Sequence, residues 1–418
     1  MTEQDTIAVI GAGVIGAAAA YALAREGRRV LLLDRAEPGV AGASFGNVGH
    51  IATESVLPLP SPGLLLGFWR ELYCFDGALD LPASRVPRML PWIRRFAAAA
   101  FRREEHSGHL APLVLPAAAT WARWLEQIGR SDLLRRHGHY EIGFGRRGAA
   151  LVRAQAATMR RLGIATRPLD GAQLAPLQRA ARARSAAGLW FEDSAHVLDP
   201  LQTVHALVAA AAAHGATVRR LDVRALRPYG DRIEVRSDQP AFLVGAAVVC
   251  AGMGSQPLLA PFGLHAPLQA ARGYHVELPG RTPYLDAPVV YAREHVVITP
   301  MAGRLRASSY MEFAAADAPA DPRKIASLQR KVRALGYPCD DGCPNWVGAR
   351  PVLPDYLPAI GRAPGPAKLF YATGHQHIGL TLAPITAELV SDVVAARTPR
   401  LPIGAFDLRR FGTPHLPR

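Results

Sequence analysis

Two short segments near the end of this 418-residue sequence carry residue types that could do chemistry. In "WVGARPVLPDYLPAIG", Arg350 lies among prolines that prevent a regular helix, and a planar guanidinium can hold a carboxylate through two hydrogen bonds. In "GHQHIGLTLAP", His375 and His377 lie between glycines and lead directly into a helix-like run. Because no third metal-ligating residue accompanies this histidine pair in the sequence, we predict that no metal is bound.

The N-terminal segment "TIAVIGAGVIGAAAAYALAREGRRVLLLDR" has the pattern of a strand, a glycine-rich turn, a helix and a second strand. Gly11 suits the tight turn, Gly13 lets the backbone approach a pyrophosphate, and Gly16 lets the helix pack closely on the strand. The helix N-terminus supplies the field that holds the anion. Asp34, twenty-three positions after Gly11, can accept hydrogen bonds from an adenosine ribose and would repel a 2′-phosphate. The segment therefore predicts a dinucleotide site that does not take NADP.

Two further segments favour FAD over NAD as the dinucleotide. The loop "ASFGNVGHI" follows Asp34 closely and contains Ser44, Asn47 and Gly49, which offer hydroxyl, amide and bare backbone to a long ligand. An apolar strand at 246–250 ends in Ala251 and Gly252, a second place where the backbone can come close to a flat or anionic group. An ordinary strand-to-helix turn is the alternative explanation for the second segment.

The order of these motifs, "GAGVIG…LLLDR…ASFGNVGHI…VVCAGMGS…VGARPVLPDYLPAIG…YATGHQHIGLTLAP", resembles the D-amino acid dehydrogenase branch of the FAD-dependent amino acid oxidase family. The resemblance implies an α/β fold, with a discontinuous, Rossmann-like FAD-binding lobe on a parallel sheet. It also implies an α+β substrate lobe whose sheet is mostly antiparallel. We expect the FAD lobe to comprise residues 1–55, 196–266 and 345–418, and the substrate lobe residues 56–195 and 267–344.

The resemblance also assigns site residues. Arg350 would hold the substrate carboxylate, and Tyr274, His377 and His50 would line the pocket, although strand packing for Tyr274 and loop exposure for the histidines are the alternatives. The helix after Gly374 would act through its backbone and its N-terminal dipole on the flavin. The expected cofactor contacts are Gly11, Gly13, Val14, Ile15, Gly16, Asp34, Arg35, Ser44, Asn47, Gly49, Val223, Ala251, Gly252, Gly374, His375, Gly379, Leu380 and Thr381.

The implied activity is FAD-dependent dehydrogenation of a D-amino or D-imino acid by hydride transfer from the α-carbon to flavin N5, with cis-4-hydroxy-D-proline or D-proline as the first candidate. The resemblance further implies an electron acceptor other than oxygen, such as a quinone or respiratory chain. The alternatives are an oxygen-using oxidase of the glycine or sarcosine type, a flavin module that modifies tRNA, and a flavin-binding subunit without catalysis of its own.

The amino-acid composition limits the partners and the cellular location that we expect. The net charge of +14 comes from 45 arginines and only three lysines, and no basic run interleaves with aromatic residues, so we expect no nucleic-acid partner. Four cysteines suggest a reducing, cytoplasmic location, and Cys339 and Cys343 are read as a loop pair or a strained disulfide. The apolar, arginine-containing segment 57–103 predicts either helices packed on the substrate lobe or peripheral contact with the inner face of the cell membrane.

Overall fold

A computed structural model of the protein describes residues 5–181, 186–280 and 285–412. Its strands are β1 (Thr6–Ile10), β2 (Arg29–Asp34), β3 (His50–Ile51), β4 (Leu79–Asp80), β5 (Leu134–Arg135), β6 (His139–Phe144), β7 (Arg167–Pro168), β8 (Ala186–Phe191), β9 (Ala195–Val197), β10 (Thr217–Arg220), β11 (Ala225–Tyr229), β12 (Arg232–Arg236), β13 (Phe242–Val244), β14 (Ala246–Val249), β15 (Gln269–Pro279), β16 (Val289–Tyr291), β17 (Val296–Met301), β18 (Arg304–Phe313), β19 (Asn345–Val352), β20 (Ala359–Arg362) and β21 (Lys368–Thr373). Its helices are α1 (Val14–Arg25), α2 (Pro62–Gly67), α3 (Val86–Ala100), α4 (Arg103–Val114), α5 (Ala117–Gln127), α6 (Gly145–Arg161), α7 (Gly171–Ala181), α8 (Pro200–Ala213), α9 (Ser255–Leu259), α10 (Pro322–Ala334) and α11 (Gly379–Val394).

The first lobe is built on a six-stranded sheet in the order β10-β2-β1-β14-β21-β20. The first five strands pair in parallel, and β20 is an antiparallel edge. Continuous apolar runs such as that of β1 suit a sheet that is covered on both faces. The predicted parallel, Rossmann-like lobe is confirmed.

Helix α1 is buried on all sides because its residues are small. Ala17, Ala18, Ala19 and Ala20 have no exposed surface, and the helix lies between α8 and α11. A helix that is apolar all round needs partners on each face, and alanine lets those partners approach closely. The glycine turn that precedes α1 is thereby held in place by elements from the middle and the end of the chain.

The second lobe is built on a nine-stranded sheet in the order β19-β15-β18-β17-β16-β6-β8-β7, with β4 beside β18. Its pairs are antiparallel except β16 with β6 and β4 with β18, so the predicted, mostly antiparallel sheet is confirmed. One strand differs from the expected division of the chain. β19 was assigned to the FAD lobe, but it pairs with β15 over eight residue positions and so extends the second sheet.

Helices α4 and α5 also differ from that division. They were expected in the substrate lobe, but their buried residues, including Leu113 and Trp121, share the apolar core of α1 and α11. Pro384 within α11 has no N–H, which leaves the carbonyl of Leu380 without its helical partner. The indole nitrogen of Trp121 donates to that carbonyl at 2.8 Å. The proline in α11 therefore explains why α5 docks on the first lobe.

The segment around α2 and α3 has an unusual surface. Met89 and Trp92 anchor α3 against the second lobe, in agreement with the packed alternative. The same segment nevertheless exposes large apolar side chains, of which Leu66 is 84% and Phe101 76% accessible; the others are Leu59, Phe68, Trp69, Phe75 and Leu90. Within the described ranges, no helix combines the length and the hydropathy that crossing a membrane requires.

Candidate active site at the junction of the lobes

The glycine turn after β1 has the geometry that a pyrophosphate requires. Gly11 has a φ of +103°, and a Cβ on Gly16 would lie 1.7 Å from the carbonyl oxygen of Gly11. Gly13 is the N-cap of α1 and has no side chain to occupy the first N–H groups of the helix. Val14 and Ile15 open that helix. Gly11 and Gly16 are therefore required by their surroundings, and the turn fits a dinucleotide.

Asp34 lies at the end of β2, where the ribose of a dinucleotide is expected. Its Oδ2 accepts from the backbone N–H of Ala12 at 2.6 Å, and its Oδ1 accepts from that of Ala36 at 3.1 Å. These bonds fix the carboxylate beside the glycine turn. Arg35 is exposed next to it, with its carbonyl accepting from Arg220, and Val223 is half-buried in the loop between β10 and β11.

The flavin-side loop that contains Ser44, Asn47 and Gly49 is held by both lobes. Ser44 Oγ accepts from the N–H of Val14 at 2.9 Å, and the side chain of Asn47 accepts from the N–H of Gly49 at 2.8 Å. From the second lobe, Arg306 donates to the carbonyl of Asn47 at 2.6 Å. The loop is therefore tied to α1 on one side and to β18 on the other.

Two aromatic side chains of the second lobe complete this clamp. His275 Nδ1 lies 3.1 Å from the carbonyl of Gly46, and its ring stacks on Trp346 with centroids 5.3 Å apart. A Cβ on Gly46 would meet the Trp346 ring at 1.9 Å, and one on Gly348 would meet it at 1.8 Å. Glycine is thus needed at both positions for the indole to lie against the loop. Burial lowers the pKa of His275 to about 4.

Two turns from the first sheet face the same junction. After β14, Gly252 has a φ of +54°, and its carbonyl accepts from Thr373 Oγ1 at 3.2 Å. Ala251 precedes it, half-buried. After β21, Gly374 has a φ of +72° and turns the chain into the histidine loop. The two turns that the sequence placed at the cofactor are therefore neighbours.

The N-terminus of α11 follows this loop, as predicted. Gly379 and Leu380 are its first residues, and Thr381 Oγ1 accepts from the N–H of Ala52 at 3.1 Å, which joins the helix to the end of β3. His375 was expected among the cofactor contacts. It is 3% exposed, and its Nε2 lies 3.1 Å from Thr386 Oγ1, so its side chain already has a partner within the first lobe.

Arg350 in β19 is positioned by backbone and has no anionic partner in the described part of the chain. Its Nη1 donates to the carbonyl of Tyr310 at 3.1 Å, and its guanidinium lies over Gly273, where a Cβ would be 2.0 Å from Nη2. Tyr310 has a φ of +68° and lies where the β15–β18 register shifts. A bulge of this kind re-aims backbone groups. Desolvation lowers the pKa of Arg350.

His377 and His50 lie close enough to this arginine to form one group. The side chain of His377 is accessible, yet desolvation and the charge of Arg350 lower its pKa to about 4. Such a combination is expected of a residue that lines an internal cleft. Desolvation and the proximity of His377 lower the pKa of His50 to about 4 as well. Arg350, His377 and His50 thus come together, with both imidazoles neutral at pH 7.

Tyr274 occupies a different environment from the predicted one. Its ring is 1% exposed in the core of the second lobe, and its hydroxyl donates to Glu312 at 2.8 Å and accepts from the N–H of Asp321 at 3.1 Å. Lys324 and Arg272 also contact Glu312. Because the hydroxyl proton is engaged in this ion-pair network, the geometry favours the packing alternative for Tyr274.

The structure adds two residues to this region that the sequence did not reveal. His139 Nδ1 lies 2.8 Å from Ser194 Oγ and 3.8 Å from Glu54 Oε2, and its ring is 4.5 Å from that of His50. Burial and the nearby Glu141 raise the pKa of Glu54 to about 8, and burial lowers the pKa of His139. Neither residue belongs to a motif; their only sequence signal is polarity beside apolar strands.

Cys339 and Cys343 are both free and buried. Burial and the neighbouring Cys343 raise the pKa of Cys339 to about 12. Of the two predicted alternatives, this geometry corresponds to the loop pair.

A family model described as FAD dependent oxidoreductase, the DAO family, matches residues 6–393 of this chain. The protein therefore belongs to the DAO family of FAD-dependent oxidoreductases, and the predicted family, cofactor and enzyme class are confirmed. The glycine turn, the ribose-side carboxylate and the N-terminus of α11 fit that cofactor.

Individual relatives are similar over nearly their whole length. The D-amino-acid oxidase of Bradyrhizobium diazoefficiens is 29% identical, over 98% of this chain and 100% of that protein. The D-amino acid dehydrogenase 2 of Ralstonia nicotianae is 30% identical, over 97% and 100%. Among solved structures, glycine oxidase from Geobacillus kaustophilus superposes with a TM-score of 0.77 at 22% identity, covering 97% of this chain and 98% of that one. That last similarity concerns the fold.

Proposed function

We propose that this protein is an FAD-dependent D-amino acid dehydrogenase. The observation that carries the proposal is Arg350, a half-buried guanidinium that contacts the Tyr310 carbonyl but no carboxylate of the described chain. An amino acid supplies such a carboxylate, and relatives named D-amino acid dehydrogenase and D-amino-acid oxidase support the D series. Desolvation of a cation without a counter-charge is unfavourable, and an anionic substrate removes that cost.

The residues around Arg350 would orient and condition the substrate. FAD, when bound, supplies the acceptor for the hydride from the substrate α-carbon. Arg350 would fix the carboxylate through two hydrogen bonds and so determine which face of the α-carbon is presented. The positive charge of Arg350 and the low polarity of the cleft disfavour the ammonium form of the substrate, so that the amine is bound neutral. His377 and His50 remain uncharged and add no competing counter-ion.

The first candidate substrates are cis-4-hydroxy-D-proline and D-proline. The resemblance of residues 372–384 to hydroxyproline-degrading members supports them, and a cleft lined by the imidazoles of His377 and His50 offers partners to a ring hydroxyl. The test is the visible flavin spectrum under anaerobic conditions while D-proline, cis-4-hydroxy-D-proline, D-alanine, sarcosine and the L-enantiomers are added in turn. Bleaching by D-imino acids alone is expected. Bleaching by no amine would contradict the proposal.

An oxygen-using oxidase is the second candidate, supported by the relative named D-amino-acid oxidase. Admission of air to the substrate-reduced enzyme separates the two. A dehydrogenase stays bleached for minutes and recovers when a quinone is added, whereas an oxidase recovers at once and releases hydrogen peroxide.

A quinone acceptor would bring the enzyme to a membrane surface, and the α2–α3 segment is the candidate contact. It exposes Leu66, Phe68 and Trp69 beside Arg70, which is the combination that binds an anionic interface. Co-sedimentation with phosphatidylglycerol vesicles is expected, with little binding to phosphatidylcholine. Leu66→Asp should abolish binding, whereas Leu151→Asp on α6, which is also exposed, should leave it unchanged.

A further inference from the structure

Three side chains from separate segments bring metal-ligating atoms together beside the cleft. They are His50 in β3, Glu54 in the following turn, and His139 at the start of β6. Their ligating atoms all lie within 4.8 Å of one another, and Nδ1 of His139 is 3.8 Å from Oε2 of Glu54. We propose that these residues bind a divalent transition-metal ion, for which zinc is the best match.

Two of the ligating atoms have no other use in the described structure. Nε2 of His50 and Oε2 of Glu54 are buried and without a hydrogen-bond partner among the described residues. A buried polar atom left without a partner costs about 1–3 kcal/mol, so such atoms normally contact a water or an ion. Both residues belong to the cluster whose ligating atoms lie within 4.8 Å of one another, so one shared ion would satisfy both.

The donor set and its spacing suit zinc. Two imidazoles and one carboxylate form one of the ligand sets of catalytic zinc sites, which leave the fourth position open. With bonds of about 2.1 Å, the ligand atoms of a tetrahedral site lie about 3.4 Å apart. Side-chain movements of about 1 Å would bring the present ligand atoms to that spacing. His50 and Glu54 are only half-buried, which places the open position on the cleft side.

Ser194 holds one ligand in place without preventing ligation. Its Oγ lies 2.8 Å from Nδ1 of His139 and also donates to the carbonyl of Phe191 at 3.3 Å. The Phe191 ring stacks on the His139 imidazole with centroids 4.3 Å apart, which fixes the plane of that imidazole. Because the Ser194 hydroxyl donates to Phe191, Nδ1 of His139 supplies the proton of its contact with Ser194, and Nε2 is the nitrogen left to bind a metal ion. The ring orientation is therefore set before the ion arrives, as outer-shell partners do in metal sites.

The test uses the complete flavoprotein. The purified enzyme is stripped with dipicolinate, reloaded with zinc chloride, passed through a desalting column and analysed for zinc and FAD. We expect one zinc per chain, retained by the wild type and by His137→Ala. His137 is a matched control because it is exposed and lies two residues from His139.

Glu54→Gln and His139→Ala should weaken zinc binding about 100-fold, as measured against a chromophoric chelator. The glutamine variant preserves the shape of the side chain, and its melting temperature and FAD content show whether it has folded. X-ray absorption at the zinc edge should report nitrogen and oxygen neighbours at about 2.0–2.1 Å.

Three results would overturn the proposal. The first is no zinc on the reloaded wild type, which would leave a bridging water as the partner of these atoms. The second is unchanged affinity in Glu54→Gln and His139→Ala. The third is a sulfur neighbour at about 2.3 Å, which would place the ion at Cys339 and Cys343 instead.

Discussion

The two ends of the active site bind in different ways. At the dinucleotide end, the groups that face the ligand belong mainly to backbone, and glycines keep that backbone bare; a Cβ on Gly16 would collide with the carbonyl of Gly11. At the substrate end, the groups are side chains with few partners among the described residues: Arg350 contacts a backbone carbonyl but no carboxylate, and Nε2 of His50 has no hydrogen-bond partner. The dinucleotide end therefore binds through backbone that has no room for side chains, and the substrate end binds through side chains that have few partners of their own. We therefore expect substitutions at the dinucleotide end to reduce FAD content and substitutions at the substrate end to reduce activity.

The largest effect is expected at the dinucleotide end. Gly16→Ala places a methyl group 1.7 Å from the carbonyl oxygen of Gly11, so the turn must open and FAD should no longer be retained. The ratio of flavin absorbance to protein absorbance measures this loss. Gly108→Ala in α4, where nothing lies within 4 Å of the added carbon, should keep its flavin. A Gly16→Ala variant with the full FAD content of the wild type would contradict the backbone constraint at the dinucleotide end.

Arg350→Met tests the substrate end without touching the other. We expect kcat/KM to fall about 1000-fold, because about 4 kcal/mol of charge-assisted hydrogen bonding to the carboxylate is lost. FAD content should be unchanged. Arg350→Lys should recover part of the activity, since a point charge replaces a planar fork. Arg153 is exposed, so Arg153→Met is the control. Loss of FAD instead of activity in Arg350→Met would contradict the difference between the two ends of the active site.

Gly273→Ala tests a position where a glycine backbone leaves the space that a substrate-binding side chain, Arg350, occupies. The added Cβ would lie 2.0 Å from Nη2 of Arg350 and displace the guanidinium. A misplacement of this size should lower kcat/KM about 100-fold, with FAD retained. Gly404→Ala has nothing within 4 Å and should behave as the wild type. Activity equal to wild type in Gly273→Ala would mean that Arg350 is not held where the carboxylate binds.

His275→Asn tests the opposite arrangement, in which a side chain contacts and positions the backbone of the flavin-side loop. Burial holds the pKa of His275 at about 4, so between pH 6.5 and 4 the unfolded chain binds a proton that the folded chain does not. Stability therefore falls as the pH falls, and this residue contributes about 2 kcal/mol of the loss between pH 7 and pH 5. The asparagine variant should show a smaller difference in unfolding free energy between these pH values. An unchanged difference would contradict the burial of a neutral imidazole.

The two ends also differ in how well the sequence predicted them. Gly11, Gly16 and Asp34 lie in one βαβ unit, whose backbone requirements are local, so their roles could be read from spacing. Glu54 follows β3, which pairs with β9, whereas His139 opens β6, which pairs with β8, so the two residues meet only in the complete fold. No local pattern encodes these pairings.

Residue type alone also misjudged two side chains, since His375 and Tyr274 are satisfied by Thr386 and Glu312 within the cores. Burial and hydrogen-bond partners decide between a site residue and a packed one, and both depend on the complete fold. The prolines that follow Arg350 correctly excluded a helix, but they did not reveal that β19 joins the second sheet.

The burial of α1 between α8 and α11 has a consequence for how the protein is made. The glycine turn precedes α11 along the chain by more than 360 residues and is synthesised well before it. Until α11 emerges from the ribosome, the alanine surface of α1 has no cover on that side. A nascent chain should therefore acquire its cofactor only after α11 has been translated, and truncation before residue 379 should give a protein that depends on chaperones and contains no flavin.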